Sequence, residues 1–206
     1  MKIFVAHYAK LTERKEHMLN EFKRNGITDY EFIETEFDKG DLVFENLSYS
    51  QISLILKHLH IYKKIPEDGA LILEDDVLLR KDFVKTLNSY MEQISGIDYD
   101  MIFLGDGCNL HIQKNKLIPG KNMYEKSVYP TLWARDGAIR CTDSYIISKK
   151  CADKIHPDIE MCLPIDWWLS EVCRRNKFKV FWAEPTIVTQ GSQNGIFEST
   201  HKWDDN

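Results

Sequence analysis

The chain has 206 residues, 43% of them apolar and 29% charged, and its 27 basic against 32 acidic residues leave a net charge of −5. That length and composition suit one folded domain with a real core and exclude a disordered polymer. The acidic balance excludes a dedicated nucleic-acid binder, which carries a basic surplus or face. No run of about 18 apolar residues provides a membrane span.

Elements are expected in an alternating α/β order. Lys2–His7 reads as a first buried strand. Thr12–Asn25 follows as a helix, with Leu11, Met18, Leu19 and Phe22 on one face and Gly26 to stop it. Tyr30–Thr35 reads as a second strand. Ser50–Tyr62 is helical, with Ile52, Ile55, Leu56 and Leu59 in register. Ala70–Leu73 is wholly apolar and is expected at the centre of a parallel sheet. A helix through Phe83, Leu87, Tyr90, Met91 and Ile94 leads to a strand at Met101–Leu104 and to Gly105-Asp106-Gly107. Cys108 to Arg140 shows no period and reads as an irregular loop. Tyr145–Ile147 is a strand, Ala152–His156 a short helix, and a further helix starts near Pro164. Phe178–Trp182 and Thr186–Val188 are expected to close the sheet.

The five cysteines form no C-x-x-C pair and no zinc spacing, so reduced thiols in a cytoplasmic compartment are expected. The apolar start is too short for a signal peptide.

The chemistry concentrates in Leu71-Ile72-Leu73-Glu74-Asp75-Asp76-Val77-Leu78-Leu79. Crowded carboxylates repel, and burying one without a partner is costly. A hard divalent cation removes that cost and prefers carboxylate oxygens. In strand geometry Glu74 and Asp76 share a side while Asp75 points elsewhere. The plainer reading is an exposed acidic turn before Arg80, which the apolar residues on both sides disfavour.

Here the chain resembles glycosyltransferase family 25. The residues that carry the likeness are Ile72-Leu73-Glu74-Asp75-Asp76-Val77, Asp100-Met101-Ile102-Phe103-Leu104-Gly105, Ser144-Tyr145-Ile146-Ile147-Ser148 with Ala152, Pro164-Ile165-Asp166, and Ala183 to Gln190, in that order. The resemblance implies a GT-A nucleotide-diphospho-sugar transferase fold, a Rossmann-like mixed sheet flanked by helices, in a single domain across residues 1–206. It also implies a divalent ion (Mn²⁺ or Mg²⁺) and a UDP-sugar donor. Two places depart from the family: Lys57-His58 stands where Ser-His is usual, and Ala6-His7-Tyr8 replaces an Asn-Leu turn.

Carried over residue by residue, the resemblance makes Asp76 the first metal ligand, with Glu74 and Asp75 on ribose or sugar hydroxyls or metal-bound water. Glu74 is also a candidate ligand, and His201 in the polar tail would complete the shell, the alternative being a solvent-exposed tail histidine. Asp166 is the candidate general base, next to an aromatic wall of Trp167-Trp168; the alternative is that it caps its helix while the tryptophans fill the core. His7, Tyr8 and Arg14 fall where such a fold binds the nucleotide, although Arg14 also suits a surface position. Asp106 is placed to touch the donor sugar, and Trp133 to stack on an acceptor or anchor a core. His58 shares a stripe with Leu54 and Ile61 and reads as a packed core histidine. The function implied is inverting hexosyl transfer, of galactose or glucose, to a hydroxyl on a glycan, a lipid-linked sugar or a protein. The alternatives are a sugar-nucleotide pyrophosphorylase, although His7-Tyr8-Ala9-Lys10 supplies no glycine loop, and a non-catalytic binding domain.

Overall fold

The structure, a computed structural model, describes residues 1–35, 47–126, 140–155 and 163–199. In chain order these hold β1 (Lys2–Ala6), α1 (Thr12–Asn25), β2 (Tyr30–Ile33), α2 (Tyr49–Tyr62), β3 (Ala70–Glu74), β4 (Val77–Leu79), α3 (Phe83–Gln93), β5 (Met101–Phe103), β6 (Met123–Glu125), β7 (Ser144–Ile147), α4 (Lys149–Ile155), α5 (Ile165–Arg175), β8 (Val180–Ala183) and β9 (Val188–Gln190).

Seven strands form one sheet in the order β2-β1-β3-β7-β5-β8-β6. β1 is parallel to both β2 and β3, and β5 is parallel to β8. β7 runs antiparallel to both of its neighbours, and β6 antiparallel to β8, so five of the seven strands share a direction. β3 is therefore central as expected, between one parallel and one antiparallel neighbour in a mixed, mostly parallel sheet, in line with the fold class that the resemblance implies. β7 begins with Ser144 at the edge where β3 and β5 end, and so runs back between them.

Strand alternation sorts the core into two layers. Phe4, Ile72, Phe103 and Tyr145 face α2, α4 and α5. Ile3, Val5, Leu71, Leu73, Ile102 and Ile146 face α1 and α3. The result is a sheet covered by helices on both sides. α1 ends where the sequence places its stop, with Gly26 in the left-handed conformation at φ 67°. α2 begins with a capping box between Ser48 and Gln51.

Two expectations are corrected here. The strand near Thr186–Val188 does not join the main sheet: Val188–Gln190 pairs antiparallel with Val77–Leu79 in a separate two-stranded sheet. This pairing folds the chain back immediately after the acidic residues, so Asp75 and Asp76 occupy a tight turn between two strands. The stretch expected to be irregular also contributes β6 at the sheet edge and two short 3₁₀ turns, at Gly107–Asn109 and Lys114–Lys116. Among the described residues no helix is long and apolar enough to cross a membrane.

Gly69 turns the chain into β3 at φ +78°, and a Cβ there would stand 2.7 Å from the backbone oxygen of Ile147. Gly69→Ala is expected to lower stability by about 1–3 kcal/mol, since strain and a backbone clash coincide. Urea unfolding would show it as a lower midpoint, and an unchanged midpoint would contradict the packing described.

Candidate active site

Parallel strands deliver their C-terminal ends to one edge, where ligands bind in open α/β sheets. His7 follows β1, Glu74 ends β3 and Asp106 lies beyond β5. Because β7 is antiparallel, its first residues reach the same edge, and Glu74 N–H donates to the Asp143 carbonyl at 2.9 Å. A cavity of about 380 Å³ opens there, lined on one side by His7, Tyr8 and Arg14 and on the others by Lys57, Glu74, Asp75, Asp76 and the segment after β9. That volume lies within the range of small-molecule sites, roughly 300–1,000 Å³.

The three acids of the motif are separated by their partners. Asp75 Oδ2 sits 2.7 Å from His7 Nδ1 and accepts from the Tyr8 N–H at 3.3 Å, while its Oδ1 accepts from Arg14 at 2.9 Å. These bonds to His7 and Arg14 hold its carboxyl below the usual carboxylate range despite the opposing effect of burial. Asp75 thus anchors β1, α1 and the turn to one another. Arg14 is buried, not on the surface, and also donates to the Glu198 carbonyl.

Asp76 is buried, and its Oδ2 accepts from the Ser192 N–H at 3.1 Å. Its Oδ1 is buried without a hydrogen-bond partner. Gly191 N–H donates to the Asp76 carbonyl at 2.8 Å, and a Cβ on Gly191 would stand 2.5 Å from that oxygen. The tail therefore closes over the acidic turn, with the Phe197 ring against both His17 and Arg14.

Glu74 reaches Thr142 while staying close enough to Asp76 for their charges to repel. Thr142 Oγ1 lies 2.8 Å from Glu74 Oε1 and 2.9 Å from Asp166 Oδ1, and the Thr142 N–H donates to that same Asp166 oxygen at 3.0 Å. One hydroxyl proton cannot serve both carboxylates at once. Burial raises the Glu74 pKa well above its usual value, and Asp76, Asp166 and Asp143 add repulsion. A proton on Glu74 would let it donate to Thr142 and leave the threonine hydroxyl for Asp166. Asp166 does not cap α5; Pro164 occupies the cap position and makes no side-chain cap bond. The tryptophans divide, Trp168 entering the core and Trp167 facing solvent.

Sequence reasoning missed Thr142 and Asp143, which lie at the start of β7 and become part of the site only through its pairing. It also missed Gln190 and Ser192 in the cavity wall. Asp143 is fully buried, accepts from Ser144 Oγ at 3.0 Å, and keeps Oδ1 without a partner. Gly105 and Gly107 make room for it, since a Cβ on Gly105 would stand 1.7 Å from Asp143 Oδ2. Asp106 itself lies at the margin, accepting from the Gln190 N–H at 3.3 Å. His58 is a core histidine: its ring stacks on Tyr145, its Nδ1 lies 2.6 Å from the Tyr145 hydroxyl, and burial holds its pKa down to about 3. His201 and Trp133 fall outside the described residues.

Among the described residues no three His, Cys, Asp or Glu side chains are placed to hold a metal ion. A cation at this site would be held by one or two carboxylates, with substrate oxygens and water completing its shell, a common arrangement for Mg²⁺. Asp76, with its partnerless buried oxygen, and Glu74, repelled by its neighbours, fit that role.

Residues 1–168 match Glycosyltransferase family 25 (LPS biosynthesis protein). A protein of Acanthamoeba polyphaga mimivirus named "Putative glycosyltransferase" is 32% identical over 126 residues, a match covering 53% of this chain and 38% of that protein. The chain thus spans well under half of that relative. Among solved structures, a Bacillus anthracis "Putative Glucose-1-Phosphate Thymidylyltransferase" superposes with a TM-score of 0.50 at 13% identity, covering 95% of this chain and 93% of the other. S. aureus TarS (1–349) superposes with a TM-score of 0.51 at 10% identity, covering 93% and 61%. At such identities the likeness is one of fold.

Burial, with repulsion from Asp166 and Asp106 outweighing Arg140, lifts the Asp143 pKa to about 8. An acid with a raised folded pKa holds its proton more tightly in the native state. Its contribution to stability is present below the unfolded value near 4 and is lost as pH rises toward 8. Asp143→Asn, which keeps the shape, is expected to remove up to about 1.4 kcal/mol of destabilisation per pH unit across that window. Denaturation midpoints of both chains from pH 4 to 8, without divalent cations, would check this; parallel curves would refute it.

Proposed function

The chain belongs to glycosyltransferase family 25, and on that footing we propose that it transfers a hexose, galactose or glucose, from a UDP-sugar to an acceptor hydroxyl with inversion at the anomeric carbon and with the help of Mn²⁺ or Mg²⁺. The observation that carries the reading is the partnerless buried Oδ1 of Asp76, a residue that lines the cavity together with Glu74. A buried carboxylate oxygen without a partner is costly, and a ligand that supplies positive charge offsets the cost. A cation bound there would neutralise charge growing on the departing diphosphate.

The chain's own groups supply the rest. His7, Tyr8 and Arg14 form the wall where the nucleotide binds, and Asp75 locks them together. Asp166, held on one oxygen by two Thr142 donors, receives the proton of the acceptor hydroxyl as its oxygen attacks the anomeric carbon. The sugar–phosphate bond breaks on the opposite face, and the electron pair leaves with the diphosphate. Alignment by Thr142 and charge stabilisation account for the rate in this scheme.

Calorimetry of UDP, then of UDP-sugars, with and without Mn²⁺ tests the donor site. Binding that needs the cation and weakens at least about tenfold in Asp76→Ala is expected. Cation-independent binding, or an unaffected variant, would overturn the metal role, and pyrophosphate-driven synthesis of a UDP-sugar would reassign the reaction.

Thr142 supplies a second test. Thr142→Val is expected to lower kcat by about tenfold or more while leaving UDP affinity near wild type, with Thr142→Ser restoring most of the rate. Equal kcat in all three chains would remove Thr142 from the alignment of Asp166.

A further inference from the structure

Residues 107–124 contain three lysines, Lys114, Lys116 and Lys121, and no Asp or Glu, in a chain whose net charge is −5. The same stretch carries Leu117 and Ile118 side by side, 42% and 50% exposed, followed by Pro119. Single exposed aliphatics are ordinary on a protein surface, but an adjacent pair set among lysines is a feature to explain.

The segment is held at both ends and at its tip. Its two stems close on Glu184: the Ile112 N–H donates to the Glu184 carboxylate at 3.0 Å, and Asn122 exchanges two bonds of 2.8 Å with the Glu184 main chain. At the tip the Lys121 N–H closes a turn on the Ile118 carbonyl at 3.0 Å, with Gly120 at φ +80°. The hydroxyl of buried Tyr124 accepts from the Ile118 N–H at 2.8 Å, and Gln93 of α3 holds Gly120 and Asn122 from the side. The backbone that carries the two aliphatic side chains is thus fixed, and so is their exposure.

This display matches an anionic bilayer. Aliphatic side chains gain by entering the boundary between headgroups and acyl chains, and ammonium groups gain by meeting lipid phosphates at that level. A soluble polyanion would engage the lysines but leave Leu117 and Ile118 in water. A protein partner calls for aromatic anchors and few lysines. The segment also enters the sheet on a telling side. It leads into β6 at Met123, opposite Ala183 at the end of β8, and β8 runs parallel to β5. That is the edge where β3 and β5 end and the cavity opens, and β6 lies four strands from β3, or about 19 Å.

We propose that the loop of residues 112–122 is a membrane-docking element: Leu117 and Ile118 enter the surface of a bilayer that carries anionic lipid, and the three lysines meet its phosphates. The contact is peripheral and reversible, and it sets the cavity edge of the sheet beside that surface. It does not depend on the donor reading.

Co-sedimentation of the whole chain tests it, with vesicles of phosphatidylcholine alone and of phosphatidylcholine mixed with phosphatidylglycerol. Binding to the mixed vesicles that falls with added salt is expected, with far less binding to the neutral ones. The double variants Leu117→Ser with Ile118→Ser, and Lys114→Gln with Lys116→Gln, should each lower the partition coefficient by about tenfold or more. Both should keep the wild-type urea midpoint and UDP affinity. No binding to the mixed vesicles, or binding by either double variant equal to the wild type, overturns the docking loop. Binding that the lysine variant loses and the aliphatic variant keeps, with heparin competing, would assign the segment to a soluble polyanion instead. If UDP fails to bind but the vesicle contact stands and depends on both pairs, the donor reading falls and the docking loop remains.

Discussion

Carboxyl groups gathered at one place repel one another, and five of them, Glu74, Asp75, Asp76, Asp143 and Asp166, surround one edge of this sheet. The fold answers that repulsion differently for each. Asp75 receives a histidine, a guanidinium and a backbone N–H. Asp166 takes two bonds from Thr142. Asp76 takes a backbone N–H from the tail and leaves one oxygen partnerless. Glu74 and Asp143 are pushed toward their protonated forms. Satisfied acids fix geometry, and the unsatisfied ones are the groups on which the proposed cation binding rests, so structure and chemistry divide within a single cluster.

The direction of β7 makes this cluster possible. A parallel strand in that position would carry Thr142 and Asp143 to the far edge. Antiparallel pairing puts Ser144 opposite Leu73 and sets the residues before it against the end of β3. The two glycines after β5 then leave the space that the Asp143 carboxyl fills. The site is consequently assembled from five separated stretches, around residues 7–14, 74–76, 142–143, 166 and 190–199.

What the sequence discloses follows from how local each signal is. α1 and its Gly26 stop are legible because a helical face repeats over four turns and the cap is a single residue. The acidic triplet is legible because three charges interrupt an apolar run. β4, β6 and β9 have three residues each, too few to show a period, and their pairing is non-local. Thr142 and Asp143 look like any polar residues ahead of a strand; their meaning lies in the partner across the sheet. Arg14 suits a surface position as well as the nucleotide side of the site until Asp75, 61 positions away, buries it. His58 was legible as core from its stripe, although its stacking partner Tyr145 was not.

The tail holds the acidic turn through main-chain groups: the N–H of Gly191, the N–H of Ser192 and the carbonyl of Glu198. Contacts of this kind are blind to the side chains that carry them, Gly191 excepted, where a Cβ does not fit. Sequence drift at Ser192 and Glu198 can therefore leave the main-chain grip on Asp76 and Arg14 intact, whereas the Phe197 ring against Arg14 and His17 depends on its own side chain. What this segment must keep is therefore its backbone path, with Gly191 and Phe197 as the positions where the side chain itself matters.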